Sequence, residues 1–441
     1  MIMLAKASIV PLVCLASSTP TLAPERDLED RLVHILELHA RQARGVAASI
    51  EVGEEFTFDH AEGRIHFADN QPASVSTELP GAVLFEFLTS IAAMRLVEEG
   101  HLSLGAPVEL PGFEVEDHVI TIRHLLEHTS GLPPTPRMFD PEEATWAPLV
   151  VDGLVHDPGA CQVYSSANTW VLGAVVEQVG GAPLRQAIEG LVFEPAGLEE
   201  TRWVAGTRHT LDDVGIRIES GAEVYRDPTA TLRFEAGDLV TTTADLRQLL
   251  RAFADGEVIS TSSVSHMLNK IRLSDGTELN YGYGLHRSSL NEIPGFSVSG
   301  TNGHEKLHVA WYPMLDTVLA LGADSPEPDI SGLQRRLIRE IFDLPGPAME
   351  YRQLPDLAHE IYPGIYRLGC NRLDVSESGQ GLRLVGASFP ELRLRYVGGN
   401  TFVSRDDGDS VVRFKLGYDG HAHAMIINIG GSRVEAIRID H

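Results

Sequence analysis

Cysteine is scarce in this sequence, and the usual metal-binding patterns are missing. The 441 residues include only three cysteines, Cys14, Cys161 and Cys370, with no CxxC pair. Their number and spacing predict neither a disulfide scaffold nor a thiolate metal site. The eighteen histidines form no HExxH motif, and the pair His421 and His423 has no apparent third ligand. We therefore expect no metal and no cofactor, and we interpret Cys161 as a small buried hydrophobic residue.

Positive charge and long apolar runs are also in short supply. The chain has 35 basic and 62 acidic residues, which gives a formal net charge of −27. Such a charge repels nucleic acid and anionic membrane surfaces. Beyond the N-terminus, no apolar run reaches the ~20 residues that span a bilayer. We expect a small-molecule ligand or substrate, no nucleic acid and no stable membrane span; the sequence does not set the oligomeric state.

The first 27 residues resemble an export signal only loosely. An apolar run extends from Ala7 to Ala16 and small residues follow it, as in a cleaved signal peptide. However, the charged region is a single residue, Lys6, and Pro11 interrupts the run. Residues 1–27 are therefore a leader or signal segment, and the pattern supports an exported and a cytoplasmic protein about equally.

The rest of the chain divides into a large and a small domain. Helical spacing of apolar residues predicts a helix over Leu28–Arg44, and two strands around the turn at Gly53 follow it. Ala82–Glu99 is apolar on nearly every side, which indicates a helix buried inside a large domain. A proline-rich connector at residues 344–360 separates this large domain, residues 28–343, from a small C-terminal domain, residues 361–441. Regularly spaced turn signals in 361–441 predict a small all-β barrel or sandwich.

Several segments in a fixed order carry a resemblance to a known family. They are LVEEGHLSLGAPV (96–108), ITIRHLLEHTSGLP (120–133), VYSSANTWVLGAVVEQVGG (163–181), AGDLVTTTADL (236–246), YGYGL (281–285) and SGTNG (299–303). Together they resemble the β-lactamase-related serine hydrolases, which include class C β-lactamases, D-aminopeptidases and esterases. The resemblance implies an α+β fold with an antiparallel sheet, flanking helices and an all-helical subdomain. The tail from Tyr362 is similar to the lipocalin-like barrel that follows this domain in some members.

The resemblance also shows where the family's catalytic residues are absent. Its Ser-x-x-Lys motif needs a hydroxyl and an amine one helical turn apart. Counting back without gaps from Leu96–Gly100 places Val83 at the nucleophile and Glu86 at the lysine. Ser90 cannot substitute, because it lies roughly 10 Å further along the helix axis. A conventional Ser-Lys hydrolase does not tolerate such losses without a large rate penalty.

Two further family motifs are altered. The Tyr-x-Asn motif corresponds to Tyr164, Ser165 and Ser166, so the tyrosine is present and the asparagine is not. The edge-strand Lys-Thr-Gly or His-x-Gly motif corresponds to Val298, Ser299 and Gly300, so its cation is absent as well. We place the substrate-binding surface at Val83, Ser166, Val298, Ser299, Gly300 and His304, with His308 as a further candidate.

The altered positions suggest a new acid/base pair. A carboxyl beside Val83 and Val298 would have its pKa raised by desolvation, so that Glu86 acts as a neutral acid or a base near pH 7. Tyr164 would be its catalytic partner. Such a pair suits isomerisation, elimination or cyclisation of an apolar small molecule, including a step in natural-product biosynthesis.

Other interpretations of the same residues stay open. In one interpretation, Glu86 belongs to a solvated polar strip of the helix together with Thr89 and Ser90. In another, Tyr164 is a core residue. We interpret His128 and Ser130 as structural residues of their loop. The whole protein is then either a repurposed non-hydrolytic enzyme, an inactive binding protein that keeps the old cleft, or a serine hydrolase with an unrecognised nucleophile.

Overall fold

The computed structural model describes most of the chain. The described residues are 27–65, 71–110, 113, 115, 117–133, 137–138, 149–150, 153–204, 239–276, 278–279, 281–302, 305–324, 330–346, 350–386, 389–405, 410–429 and 432–440. His304, one of the predicted binding residues, lies outside them, as does almost all of the predicted leader. Within this part of the chain, no helix combines the length and apolar character needed to cross a membrane.

The helices of the described residues are mostly short, and we number them in chain order. They are α1 Leu28–Ala40, α2 Phe85–Glu98, α3 Ile122–Leu126, α4 Ser166–Gly180, α5 Leu184–Ile188, α6 Glu194–Ala196, α7 Thr243–Asp255, α8 Thr261–Met267, α9 Ile330–Ile341 and α10 Ala358–Ile361. A 3₁₀ turn at Ala82–Leu84 leads directly into α2, so the predicted helix from Ala82 is confirmed with a tighter first turn.

The strands of the large domain form one main sheet and several short pairs. They are β1 Gly45–Val52, β2 Phe56–Ile65, β3 Gln71–Pro72, β4 Leu79–Pro80, β5 Arg137–Met138, β6 Leu149–Val150, β7 Arg202–Trp203, β8 Leu239–Thr241, β9 Ile271–Arg272, β10 Glu278–Leu279, β11 His286–Leu290, β12 Ile293–Asn302, β13 Glu305–Tyr312 and β14 Thr317–Asp324. Seven of them make the main sheet, in the order β11-β12-β13-β14-β1-β2-β3.

Helices cover both faces of the main sheet. On one face α1 and α9 pack against alternate strand residues such as Ala310 and Tyr312. On the other face α2, α4 and α7 pack against the intervening residues, such as Val309 and Trp311. Because both faces are covered, every residue of the central strand β14 is buried. The predicted fold class, a sheet between helical layers, is therefore confirmed.

Helix α2 lies in the middle of the larger core. Most of its residues are buried, and Phe87 makes an edge-to-face contact with Phe253 of α7 at 5.2 Å between ring centroids. Each large apolar side chain buried here stabilises the fold by roughly 1.5–3 kcal/mol. Thr89 is fully buried and donates to the carbonyl of Phe85 at 2.6 Å. Thr89 and Ser90 therefore do not form a solvated strip with Glu86, and that interpretation was wrong.

The C-terminal region is a closed antiparallel barrel of eight strands. They are β15 Gly364–Leu368, β16 Asn371–Ser378, β17 Gly381–Gly386, β18 Phe389–Gly398, β19 Thr401–Ser404, β20 Val411–Leu416, β21 Ala422–Ile429 and β22 Ser432–Arg438. Tyr362, Phe402 and Phe414 pack at centroid distances of 4.9–5.5 Å in its core. The predicted all-β barrel is confirmed, and its core is packed with aromatic side chains.

A disulfide bond joins the two regions. Cys161, three residues before Tyr164, is bonded to Cys370, in the turn between β15 and β16, across 209 residues of sequence. Cys161 is buried, as the sequence analysis expected, but the number and spacing of the cysteines did not predict this disulfide. Two cysteines so far apart give no local spacing pattern, so the pairing could not be found from the sequence.

Candidate active site

Glu86 lies in the first turn of α2, at one end of the buried helix. The 3₁₀ turn before it carries Val83. The side chain of Glu86 is 20% exposed, which makes it an edge residue of an otherwise buried element. A carboxylate near a helix N-terminus is favoured by the helix dipole. The local structure therefore suits an anion at the position where the family resemblance implies a lysine.

Two side chains from distant segments contact the Glu86 carboxyl. His128, just after α3, brings its Nε2 to 2.9 Å from Glu86 Oε1. The Tyr281 hydroxyl donates a hydrogen bond to the same oxygen. His128 and Tyr281 are 3% and 7% exposed, and their rings meet edge to face at 5.5 Å between centroids. Glu86 is thus held by two nearly buried donors.

The remaining contacts of His128 fix its tautomer. Its Nδ1 lies 3.0 Å from the Asn168 Nδ2 and 3.4 Å from the backbone nitrogen of Ser165. Because the backbone nitrogen is always a donor, Nδ1 is the acceptor in the neutral imidazole, and Nε2 then carries the proton. The orientation of Asn168 agrees, since its Oδ1 accepts a hydrogen bond from Ser130 at 2.5 Å. His128 therefore donates to Glu86 from Nε2 and is held in place by α4.

His128 also has an unusual backbone conformation. Its φ of 53° lies in the left-handed region, which non-glycine residues adopt rarely. Such backbone strain of about 1–3 kcal/mol persists only where the surroundings enforce it. Here the enforced conformation directs the imidazole between Glu86 and α4. The sequence analysis interpreted His128 as a structural residue of its loop, and the structure places its imidazole against the Glu86 carboxylate.

The pKa of Glu86 shifts in the direction opposite to the sequence-based prediction. Burial alone would raise it, but the charge of a protonated His128 and the hydrogen bonds from His128 and Tyr281 lower the pKa to about 2. The prediction of a raised pKa was therefore wrong, because it counted the apolar neighbours and missed the two donors. Glu86 is a carboxylate at neutral pH.

Tyr164 forms the outer side of the same cluster. Its ring centroid lies 4.8 Å from that of His128, and its hydroxyl interacts electrostatically with the Glu86 carboxyl. Burial and the charge of Glu86 raise the pKa of Tyr164 well above its usual value. The residue as a whole is 58% exposed, so it is not the core residue that one interpretation assumed. The structure thus brings Glu86 and Tyr164 together, with Tyr164 facing solvent.

Val83, Gly300 and Val298 form an apolar wall beside this cluster. A Cβ added to Gly300 would lie 2.4 Å from the Cβ of Val83, so only glycine allows the 3₁₀ turn to approach β12 this closely. Val298 is 6% exposed and belongs to the core on the α2 side of the sheet. The residues that the sequence analysis assigned to the nucleophile and edge-strand cation positions therefore make hydrophobic contacts.

Ser299 lies on the other face of β12. Its hydroxyl is hydrogen-bonded to Nδ1 of His308, the residue paired with it on β13. His308 is 2% exposed, and among the described residues its Nε2 has no hydrogen-bond partner. Ser166 is the first residue of α4, immediately after the N-cap Ser165. The predicted binding residues are therefore not all on one surface: Val83 and Gly300 are together, whereas Ser299 is separate from them.

Three side chains of the cluster were not predicted as functional. His128 and Tyr281 contact Glu86 directly, and the ring of His286 lies 5.1 Å from that of Tyr281. His128 and Tyr281 belong to the HTSGL and YGYGL segments, which were used only to recognise the fold. A polar aromatic side chain in each of two such segments was the available signal, but its pairing with Glu86 depends on the tertiary structure.

The comparisons with known proteins agree with this architecture. A family model described as Beta-lactamase matches residues 26–340, more than two thirds of the chain. The chain belongs to the Beta-lactamase family. Penicillin-binding protein 4* of Bacillus subtilis (strain 168) is 25% identical over 436 residues, which cover 90% of this chain and 95% of that protein. Esterase EstB of Burkholderia gladioli is 31% identical over 194 residues, or 38% of this chain and 49% of the esterase.

Solved structures support the same fold. The octameric penicillin-binding protein homologue from Pyrococcus abyssi aligns with a TM-score of 0.58 over 93% of this chain and 99% of that one, at 18% identity. At this identity the likeness shows the fold alone. Within this Beta-lactamase family fold, the carboxylate of Glu86, the exposed hydroxyl of Tyr164 and the imidazole of His128 are the groups that offer chemistry at the start of α2.

Proposed function

We propose that this Beta-lactamase family protein is a non-hydrolytic enzyme that moves a proton within an apolar small molecule, with Glu86 and Tyr164 as its acid/base pair. The observation that carries the proposal is the Glu86 carboxylate, which interacts electrostatically with a solvent-facing Tyr164 at the position that the resemblance assigns to the lysine. Val83 stands where the nucleophile would be and supplies no hydroxyl, so an acyl-enzyme cannot form there.

Glu86 and Tyr164 have different roles in an isomerisation. Tyr164 donates its hydrogen bond to a carbonyl oxygen of the substrate, which stabilises negative charge as it develops. Glu86 then takes the proton from the carbon next to that carbonyl, so the C–H bond breaks and the electron pair moves onto the oxygen. The protonated Glu86 returns the proton at a different carbon, and the enzyme regains its starting state.

The low pKa of Glu86 must rise when substrate binds for this step to be efficient. At pH 7 a pKa of about 2 means that protonating Glu86 costs about 7 kcal/mol, from 1.36 kcal/mol per pKa unit. A substrate that binds the Tyr164 hydroxyl removes the interaction of that hydroxyl with Glu86 and excludes water. Both changes raise the proton affinity of the carboxylate. His128 and Tyr281 stay in place and hold its orientation.

Deuterium exchange tests the proposal and does not require the substrate to be identified first. The full-length protein is incubated in D₂O with a library of small carbonyl compounds, and mass spectrometry detects compounds that gain deuterium. We expect exchange with wild type, a loss of about 10²-fold or more in Glu86→Gln, and a smaller loss in Tyr164→Phe. Glu99→Gln is the matched control, because Glu99 follows the same helix and pairs with Arg95 on the surface.

The outcomes separate the alternatives. Exchange that survives Glu86→Gln unchanged would remove Glu86 from the chemistry. A compound that binds wild type without exchange or turnover would favour the inactive binding protein. In both cases the assignment of a catalytic role to this pair would be withdrawn.

A second candidate function is hydrolysis from the opposite face of β12. The hydrogen bond between Ser299 and His308 has the form of a nucleophile with a base, since Ser299 is exposed and His308 is buried. Burial and the charge of Arg335 lower the pKa of His308 to about 3, so the imidazole is neutral at pH 7. Labelling by a fluorophosphonate that disappears in Ser299→Ala would support this function, and no labelling of wild type would exclude it.

A further inference from the structure

A separate pocket lies beside the segments that carry the Glu86 cluster. Its volume is about 520 Å³, within the usual range for small-molecule sites. It is bounded by α3, α8, the β9–β10 pair and the Tyr281–Leu285 segment. Glu127 in its wall precedes His128, and Tyr283 follows Tyr281 by two residues. The pocket is therefore close to the cluster in sequence but has a different lining.

The lining is strongly basic for so acidic a protein. Four cationic and two anionic side chains face the pocket, a net charge of +2 in a chain whose formal charge is −27. They are Arg123, Lys270, Arg272, Arg287, Glu127 and Glu278. A local excess of positive charge on an acidic protein focuses the field on small anions and repels cations.

The charges are not distributed evenly within the pocket. On the β9–β10 rim, Glu278 pairs with both Lys270 and Arg272, at 3.1 and 2.7 Å. Further in, Arg123 is 3.8 Å from Glu127, beyond ordinary hydrogen-bond distance, and donates instead to the Tyr283 hydroxyl at 3.1 Å. Away from this rim, Arg123 and Arg287 supply two guanidinium groups against the one carboxyl group of Glu127.

Two further groups complete a surface for an oxygen-rich ligand. His266 lies 5.8 Å from the ring of Tyr283, and burial and the charge of Arg123 lower its pKa, so the imidazole is neutral at pH 7. Burial raises the pKa of Glu127, against the opposing effects of Arg123 and Tyr283. The negative charge of Glu127 is therefore less favoured than that of an ordinary glutamate. Guanidinium groups bind carboxylates and phosphates by paired, charge-assisted hydrogen bonds.

We propose that this pocket binds a small oxyanion ligand, a phosphate ester or a polycarboxylate, between Arg123 and the Lys270–Arg272 rim. The site is separate from the Glu86 cluster, and the proposal does not depend on the function assigned to that cluster. Arg123, Lys270 and Arg272 are 44%, 49% and 70% exposed in their side chains, so the ligand reaches them from solvent.

Isothermal titration calorimetry on the full-length protein tests the site, with inorganic phosphate and citrate as the two probes. We expect saturable binding of at least one probe at low ionic strength, weakened at least about tenfold by Arg123→Gln and also weakened by Arg272→Gln. Arg383→Gln is the matched control, since Arg383 is an exposed arginine that pairs with Glu391 on the barrel. Binding should be unchanged in this variant.

The two probes distinguish the ligand classes. Preference for phosphate indicates a phosphate ester, and preference for citrate indicates a polycarboxylate. Arg272 is on an exposed rim, so its variant should fold normally and keeps the test valid if Arg123→Gln is unstable. Heats without saturation for both probes, or equal weakening in Arg383→Gln, would overturn the proposal.

Discussion

Two carboxyl groups beside the helical layer have similar partners and opposite pKa shifts. Glu86 contacts an imidazole and a tyrosine and has its pKa lowered to about 2, whereas Glu127 is near a guanidinium and a tyrosine and has its pKa raised by burial. His128 approaches Glu86 to 2.9 Å, but Arg123 and the Tyr283 hydroxyl stay 3.8 and 3.4 Å from Glu127. The distance of the neighbouring groups, rather than their chemical type, decides whether the carboxyl pKa is lowered by its neighbours or raised by burial.

The largest expected effect distinguishes the two carboxylates by function. In the deuterium-exchange assay, Glu86→Gln should reduce the rate by about 10²–10⁴-fold, because the amide cannot accept the proton. Glu127→Gln should leave the rate within about threefold, since the Glu127 side chain faces Arg123 and Tyr283 instead. Comparable losses in both variants would show that the assay reports folding and not the chemistry of one residue.

The free energy of unfolding at acidic pH should depend differently on Glu86 and on Glu127. A group whose pKa is lowered on folding adds stability above its unfolded pKa, here 4.5, and loses it as the pH falls towards 2. For Glu86 this amounts to about 3 kcal/mol between pH 7 and pH 2. All four tryptophans precede residue 344, so their fluorescence in urea reports on the large domain. Glu86→Gln should reduce the change in unfolding free energy between pH 7 and pH 2. An unchanged dependence on pH in this range would contradict the lowered pKa of Glu86.

The two tyrosines offer a matched pair of smaller changes. Tyr281→Phe removes a donor from Glu86 and should raise its pKa by about one to two units, since a hydrogen bond to a charged group contributes about 1.5–3 kcal/mol. Tyr283→Phe removes the longer contact with Glu127 and the hydrogen bond from Arg123, neither of which involves Glu86, and should leave the Glu86 titration unchanged. Carboxyl carbon NMR of each variant makes the comparison, and equal shifts would show that the donors do not act locally.

The smallest expected effect has the opposite sign. A pKa raised on folding means that stability is present below the unfolded pKa and is lost as the pH rises through the folded pKa. Glu127→Gln should therefore stabilise the protein at pH 7 and have less effect at pH 4. Urea midpoints at the two pH values measure the difference. Destabilisation at pH 7 would mean that the ion pair with Arg123 outweighs burial.

The fold could be predicted from the sequence because its signals are local or ordered along the chain. The all-round apolar pattern of α2 marks a buried helix, and short alternating segments after residue 361 mark the barrel. The contact between Glu86 and Tyr164 was also predicted, because motif order in a known fold places both residues at one site.

The remaining features depend on tertiary contacts that no local pattern encodes. The direction of the Glu86 pKa shift requires knowing that His128 and Tyr281, 42 and 195 residues away, reach its carboxylate. The bond between Cys161 and Cys370 crosses two regions and leaves no spacing signal. Ser299 was grouped with the cleft because it follows Val298, although successive strand residues face opposite sides.

Titration of Glu86 in the wild-type protein shows whether its two donors hold it ionised. With ¹³C-labelled glutamate and assignment by the Glu86→Gln variant, the Glu86 side-chain carbonyl resonance is followed from pH 7 to pH 2.5. We expect a signal that stays in the ionised range until the pH falls below about 3, in keeping with a pKa of about 2. A midpoint at or above the ordinary value of 4.5 would contradict the role assigned to His128 and Tyr281.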